Sequence, residues 1–144
     1  MNLKRLKDIR EDNDINQEEM AKILGVNRST YSMWELEMNV IPLRVLCNFA
    51  DYFNVSIDYV LGLSNNKNPK NIIKGLELKV LGANLRNLRN QNKVSQEYIG
   101  NILGLTQACI ARYEKGLGGM SVISMYRLSK EFKVSIGELC GKIK

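Results

Sequence analysis

The chain has 144 residues, room for one domain or two small ones. Hydrophobic residues make up 44% and charged residues 25%, which argues against a disordered chain. Lys plus Arg is 21 against 15 Asp plus Glu, a formal net charge of +6 that permits a polyanionic partner without demanding one.

Shifted by 79 positions, residues 3–62 align with 82–141 without a gap. Identities in one register include Leu6/Leu85, Arg10/Arg89, Asn13/Asn92, Gln17-Glu18/Gln96-Glu97, Ile23-Leu24-Gly25/Ile102-Leu103-Gly104, Glu35/Glu114 and Val55-Ser56-Ile57/Val134-Ser135-Ile136. The period is too long for a solenoid. The expectation is two copies of one small domain, 1–63 and 77–144, joined by a polar linker over 64–76.

Within each copy the apolar period is near 3.6, and no segment alternates as a strand. Leu6 and Ile9, or Leu81, Leu85 and Leu88, predict a first helix, the second copy's beginning near Glu77. Asn16 or Ser95 can cap a second helix with Met20, Ile23 and Leu24, or Ile99, Ile102 and Leu103, as its apolar positions. Gly25 and Gly104 end it where a left-handed residue is wanted. Asn27 or Thr106 can cap a third. A fourth follows Pro42, with Leu43, Leu46, Phe49, Ala50 and Phe53 on its buried side. Ser56 or Ser135 caps a fifth, and Ser135-x-x-Glu138 has the capping-box pattern. The fold class is therefore all-α: two tandem five-helix domains with small cores and marginal stability.

Helices two and three carry the most specific pattern. Two helices cross closely only if the contact residue is small, and Ala21 and Gly100 hold that place. Gly100 would cost about 1 kcal/mol relative to Ala in a plain surface helix, so close packing supplies a reason for it. Val26 or Leu105 plugs the core beneath the turn, and Tyr31 with Trp34, or Ile110 with Tyr113, anchors the next helix. Both copies satisfy every slot of a helix-turn-helix.

The stretch Asn16 to Glu35, with Phe53 to Gly62, resembles the Cro and CI repressor-like family of helix-turn-helix regulators; Ser95 to Glu114 and Phe132 to Gly141 repeat it. The resemblance covers nearly the whole chain apart from the linker. It implies a lambda-repressor-like five-helix domain whose third helix enters the major groove of double-stranded DNA. It also implies that Gln17 and Gln96, at the start of the second helix, touch the DNA backbone.

Geometry independently picks a readout face. With Tyr31 and Trp34 inward, Arg28, Ser29, Ser32, Met33 and Leu36 point outward in copy one. Gln107, Ala108, Ala111, Arg112 and Lys115 do so in copy two. Gln107 suits adenine, Arg28 and Arg112 suit guanine, and Ala or Met suits a thymine methyl. The helix N-terminal amides near Asn27 and Thr106 suit phosphate. Residues 1–63 carry net −3, residues 64–76 net +3 and residues 77–144 net +6. Copy two is therefore expected to supply most nonspecific affinity. Copy one, with Met33, Leu36 and Met38 outward and Glu37 in place of Gly116, either reads a second half-site or binds a protein.

Other classes find little support. His is absent, which removes the usual general base and zinc imidazole. Cys47, Cys109 and Cys140 are scattered, as reduced thiols are. No phosphate-cradling Gly-rich loop, metal-ligand cluster or activated nucleophile is present. No apolar run approaches the roughly 20 residues of a membrane span, and Met1 to Asp8 is no signal peptide. The expectation is a cytoplasmic transcriptional regulator, a repressor of prokaryotic or phage type. It would bind double-stranded DNA, with a homodimer possible, and have no catalysis, cofactor, metal, small-molecule ligand or membrane partner. The rival is a protein-interaction or anti-repressor-type module in which at least copy one keeps the fold but binds a protein instead of DNA.

Overall fold

Side chains that accept from a backbone N–H stand at the start of most helices, and left-handed residues stand at many of their ends. The computed structural model describes Met1 to Ile143, and those residues form ten helices and no strand. They are α1 (Lys4–Asp12), α2 (Gln17–Leu24), α3 (Arg28–Glu35), α4 (Leu43–Phe53), α5 (Ile57–Val60), α6 (Leu78–Gln91), α7 (Gln96–Leu103), α8 (Gln107–Glu114), α9 (Val122–Phe132) and α10 (Ile136–Leu139). Asn16, Asn27, Ser56, Ser95, Thr106, Ser121 and Ser135 each accept a backbone N–H of the first turn they cap. The reciprocal capping box is closed at Asn16 and Glu19. The chain divides into two compact units, Met1–Lys70 and the part from Asn71 on.

Each unit wraps five helices round one small core. Leu6, Ile9, Met20, Tyr31, Trp34, Leu46, Phe49 and Val60 are buried in unit 1. Leu85, Leu88, Ile99, Ile110, Met125, Leu128 and Ile136 are buried in unit 2. Each such side chain contributes about 1.5–3 kcal/mol. Several expected core positions differ. Ile23 is exposed, and Leu24, Val26, Phe53, Ile102, Leu105 and Tyr113 are only half-buried. The helical ones sit near the edges of their apolar stripes, where helix periodicity alone does not separate core from rim. The stretch 64–76, expected as a polar linker, is tied down at both ends. Arg5 donates to the carbonyls of Tyr59 and Ser64 and to Asn65, and the Ser56 N–H bonds the Lys67 carbonyl, tying 64–67 to unit 1. Ile72 bridges to Ile143, and the Ile73 N–H donates to Lys142, tying that end to unit 2. Backbone groups of a polar segment need partners as much as those of a helix.

The two backbones repeat each other down to their left-handed residues. Positive φ occurs at Asp14 and Lys93, Gly25 and Gly104, Glu37 and Gly116, Asn54 and Lys133, and Gly62 and Gly141, each pair 79 residues apart. The first helix breaks the match, since α6 has 14 residues and α1 has 9. In unit 1 the buried Leu3 sits just before α1, and its N–H donates to Glu37 Oε1 at 2.8 Å. In unit 2 the matching place is Gly82, inside α6. A Cβ there would overlap the carbonyl oxygens of Tyr113 and Glu114. One at Gly116 would come 2.9 Å from Lys79 Cα.

One ion pair per unit ties the first helix to the third. Arg10 donates from Nε and Nη2 to the two Glu35 oxygens at 2.7 and 3.0 Å, and from Nη1 to the Ile15 carbonyl at 2.8 Å. Arg89 repeats this with Glu114 at 2.9 and 3.1 Å and with the Val94 carbonyl at 3.3 Å. The Arg10 and Glu35 side chains are only 8% and 3% exposed. Burial alone would raise the Glu35 carboxyl, but hydrogen bonds from Arg10 and Gln17, with the Tyr31 hydroxyl nearby, hold it below its usual 4.5. The Tyr31 hydroxyl is buried beside this pair without a hydrogen bond of good geometry. Burial first, then Glu35, raises its pKa above the usual phenol range.

Removing one partner of a buried pair strands the other, so Glu35→Ala is expected to destabilise unit 1 by about 3 kcal/mol. Trp34 is the sole tryptophan, so its fluorescence in a urea titration reads that unit alone. Because the folded carboxyl is depressed, the unfolded chain binds more protons in acid. The stabilisation is complete above the ordinary value of 4.5 and is lost as pH falls below it. The Trp34 melting temperature should drop on acidification in the native protein and drop less in Glu35→Gln. Tyr31→Phe removes an unpaired buried hydroxyl and should leave that melting temperature unchanged or raise it. In unit 2, Gly82→Ala should cost about 2 kcal/mol by overpacking. Gly119→Ala, whose added carbon would only touch the Leu78 side chain at 3.4 Å, should cost much less. Equal losses in the two variants, read by urea unfolding and circular dichroism, would overturn the close-approach argument.

Candidate nucleic-acid interface

The α2–turn–α3 and α7–turn–α8 units are built by local chemistry. Gly25 and Gly104 adopt φ of 74° and 68°, and the next residue's N–H bonds back to the small residue's carbonyl. Those bonds are Val26 to Ala21 at 2.9 Å and Leu105 to Gly100 at 2.8 Å. A Cβ on Gly100 would come 2.6 Å from the Leu105 carbonyl oxygen. The small residue therefore makes room for the turn's own backbone, rather than for the crossing helix that the spacing suggested.

The third helix of each unit then turns one side inward. Tyr31, Trp34 and Ile110 are buried, and Tyr31 and Trp34 meet edge to face at 6.1 Å. Asn27, Arg28 and Ser29 are exposed, while Ser32 and Met33 are half-buried. In unit 2, Thr106, Gln107, Ala108, Arg112 and Lys115 are exposed and Ala111 is half-buried. Asn27 Oδ1 and Thr106 Oγ1 are engaged as helix caps at 2.8 and 3.2 Å, so each holds the first turn in place. Arg112 also reaches the Leu117 carbonyl at 3.4 Å, which leans its guanidinium along the loop after α8.

Gln17 and Gln96 are half-buried and tied inward. Gln17 Nε2 donates to Glu35 Oε1 at 3.1 Å, and Gln96 Nε2 to Glu114 Oε1 at 3.3 Å. In unit 2 the chain of bonds runs outward. Gln107 Nε2 donates to Gln96 Oε1 at 2.7 Å. The buried Arg89–Glu114 pair thus orients Gln96, and Gln96 orients the exposed Gln107 amide. Arg28 stands at the matching place in unit 1. The residues 10 and 89 that anchor these networks were not singled out from the sequence as candidates. The signal was present, since Arg10, Gln17 and Glu35 are all identical to their partners in the second copy.

The two faces differ in charge and polarity. Unit 2, from Asn71 on, holds twelve Lys/Arg and five Asp/Glu, while Met1–Lys70 holds nine and ten. Leu36 and Met38 are 64% and 65% exposed. Glu37, expected to weaken DNA reading in unit 1, is engaged at the start of α1 through the Leu3 N–H. Among the described residues no cluster of His, Cys, Asp and Glu could hold a metal ion, and no helix is long and apolar enough to cross a membrane.

The chain is similar to several known proteins. The chain is 34% identical over 70 residues to the uncharacterized HTH-type transcriptional regulator YobD of Bacillus subtilis (strain 168), covering 49% of this chain and 62% of that protein. It is 36% identical over 63 residues to the uncharacterized HTH-type transcriptional regulator YqaE of the same organism, covering 43% of this chain and 54% of that one. The chain thus spans a little over half the length of these curated relatives. Among solved structures, the restriction-modification controller protein C.AhdI from Aeromonas hydrophila is 27% identical, with a TM-score of 0.40, covering 43% of this chain and 94% of that one. The helix-turn-helix family model matches twice, at residues 6–60 and 85–139, and the chain belongs to that family.

Proposed function

We propose that the chain is a sequence-specific DNA-binding transcriptional regulator, a repressor, in which α8 of unit 2 is the principal reader of the major groove. The observation that carries this reading is the exposed row of Gln107, Ala108, Arg112 and Lys115 on the more basic unit, with the Gln107 amide held in place by Gln96. An oriented carboxamide can make the paired bonds that adenine offers, and a guanidinium those of guanine. The free first-turn amides after Asn27 and Thr106 suit phosphate, with Gln17 and Gln96 alongside them. The HTH-type regulators that the chain resembles support the same reading.

In unit 1, Arg28, Ser29, Ser32 and Met33 would read a second half-site more weakly, because fewer cations face the phosphates. A second reading is favoured there by the exposed Leu36 and Met38: unit 1 binds a protein and leaves DNA to unit 2. Two readers in one chain raise each other's effective concentration. A homodimer would pair readers instead, and sizing on the bound duplex separates the two arrangements.

Duplexes selected by the full chain from a random pool supply the probe. Arg112→Ala and Gln107→Ala should each weaken binding to the selected duplex about tenfold or more. Arg28→Ala should weaken it less, and rising salt should weaken all of them steeply. Affinity unchanged in both unit 2 variants would overturn the assignment. An Arg28→Ala loss larger than either would move the reading to unit 1.

A further inference from the structure

Helices α7 and α9 of unit 2 leave an apolar groove that the helix-turn-helix reading does not use. A cavity of about 380 Å³ there is lined by Ile102, Tyr126, Arg127, Lys130 and Glu131. Tyr98 on α7 and Ile123 on α9 are 45% and 38% exposed. On α9, residues 123, 126, 127 and 130 form one stripe at helical spacing. At about 100° per residue, Tyr98 and Ile102 lie roughly 200° and 240° round α7 from Gln96. The groove therefore opens on the side of α7 turned away from the Gln96–Gln107 network.

Its charge is peculiar to this unit. Arg127 and Lys130 are exposed, and Lys130 Nζ stands 5.6 Å from the Tyr126 ring centre. The matching residues of unit 1 are Cys47, Asn48 and Asp51 in place of Tyr126, Arg127 and Lys130. The five-helix fold alone thus does not require a basic, aromatic groove here. Two cations one turn apart over an Ile and Tyr floor fit an apolar side chain flanked by carboxylates. The apolar floor offers a phosphate backbone nothing. Glu131 repels an acid at that one position.

We propose that this groove docks an acidic protein segment, an amphipathic helix that seats apolar anchors on Ile102 and Tyr126 and pairs its carboxylates with Arg127 and Lys130. The docking leaves α8 free, so the chain would hold a protein partner and its α8 target together.

The test selects displayed random 12-residue peptides on the immobilised full chain in the presence of excess random-sequence duplex DNA. Enriched peptides are synthesised and titrated by fluorescence anisotropy. The expected winners are net acidic, with apolar residues spaced three or four apart. Arg127→Glu with Lys130→Glu, both exposed and unchanged in circular dichroism, should weaken them about tenfold or more. DNA affinity should stay within about twofold. The proposal is overturned if no peptide is enriched, or if the double variant binds the winners as tightly as the native chain. It is also overturned if that variant loses DNA affinity instead, which assigns the cations to phosphate. Loss of self-association in sedimentation without loss of peptide binding assigns the face to a second copy and overturns it as well.

Discussion

A buried arginine–glutamate pair is the constraint on which each unit is built. In unit 1 the Arg10 guanidinium holds the end of α3 through Glu35 and the α1–α2 loop through the Ile15 carbonyl, while Gln17 at the start of α2 shares the same carboxylate. Three helices thus meet at two side chains. A pair of this kind adds little net stability over an apolar substitute, yet it is costly to break by halves. What it supplies is orientation. The N-terminus of α2 and the length of α3 are fixed relative to each other, as any reader of a shaped surface needs.

Around that constant the two units have gone separate ways at their first helices. Unit 1 starts α1 late, buries Leu3 and uses the Glu37 carboxylate to receive its N–H. Unit 2 begins α6 more than a turn earlier, and Gly82 and Gly116 let that N-terminal extension lie close against the end of α8. The same backbone path, including its left-handed residues, therefore carries two different local solutions to the unpaired amides at a helix start.

Much of this was legible in the residues. The caps, the two turn glycines, the five-helix count and the inward Tyr31, Trp34 and Ile110 follow from spacing and from local hydrogen-bond chemistry. The outward row on the third helix follows from the same wheel. The rest depended on contacts between segments distant in the chain. Nothing local in Ser64 and Asn65 announces that Arg5, some 60 residues earlier, will hold the Ser64 carbonyl and the Asn65 side chain. Glu37 reads as a surface acid until Leu3 is found beside it. Gln17 and Gln96 read as outward-facing until the buried carboxylates appear beneath them. Ile23 and Phe53, at the rim of their stripes, show the limit of periodicity itself.

The relay from Arg89 through Glu114 and Gln96 to Gln107 joins the interior of unit 2 to its outermost amide. Its consequence concerns what a substitution at either end would disturb. Any new residue at 107 alters the partner of Gln96, which itself bonds the carboxylate of the Arg89–Glu114 pair. In unit 1 the same link ends at Gln17, and the side chain at 28 can be exchanged without disturbing what lies below. The duplicated chain thus ties one exposed side chain to its interior and leaves the matching one untied.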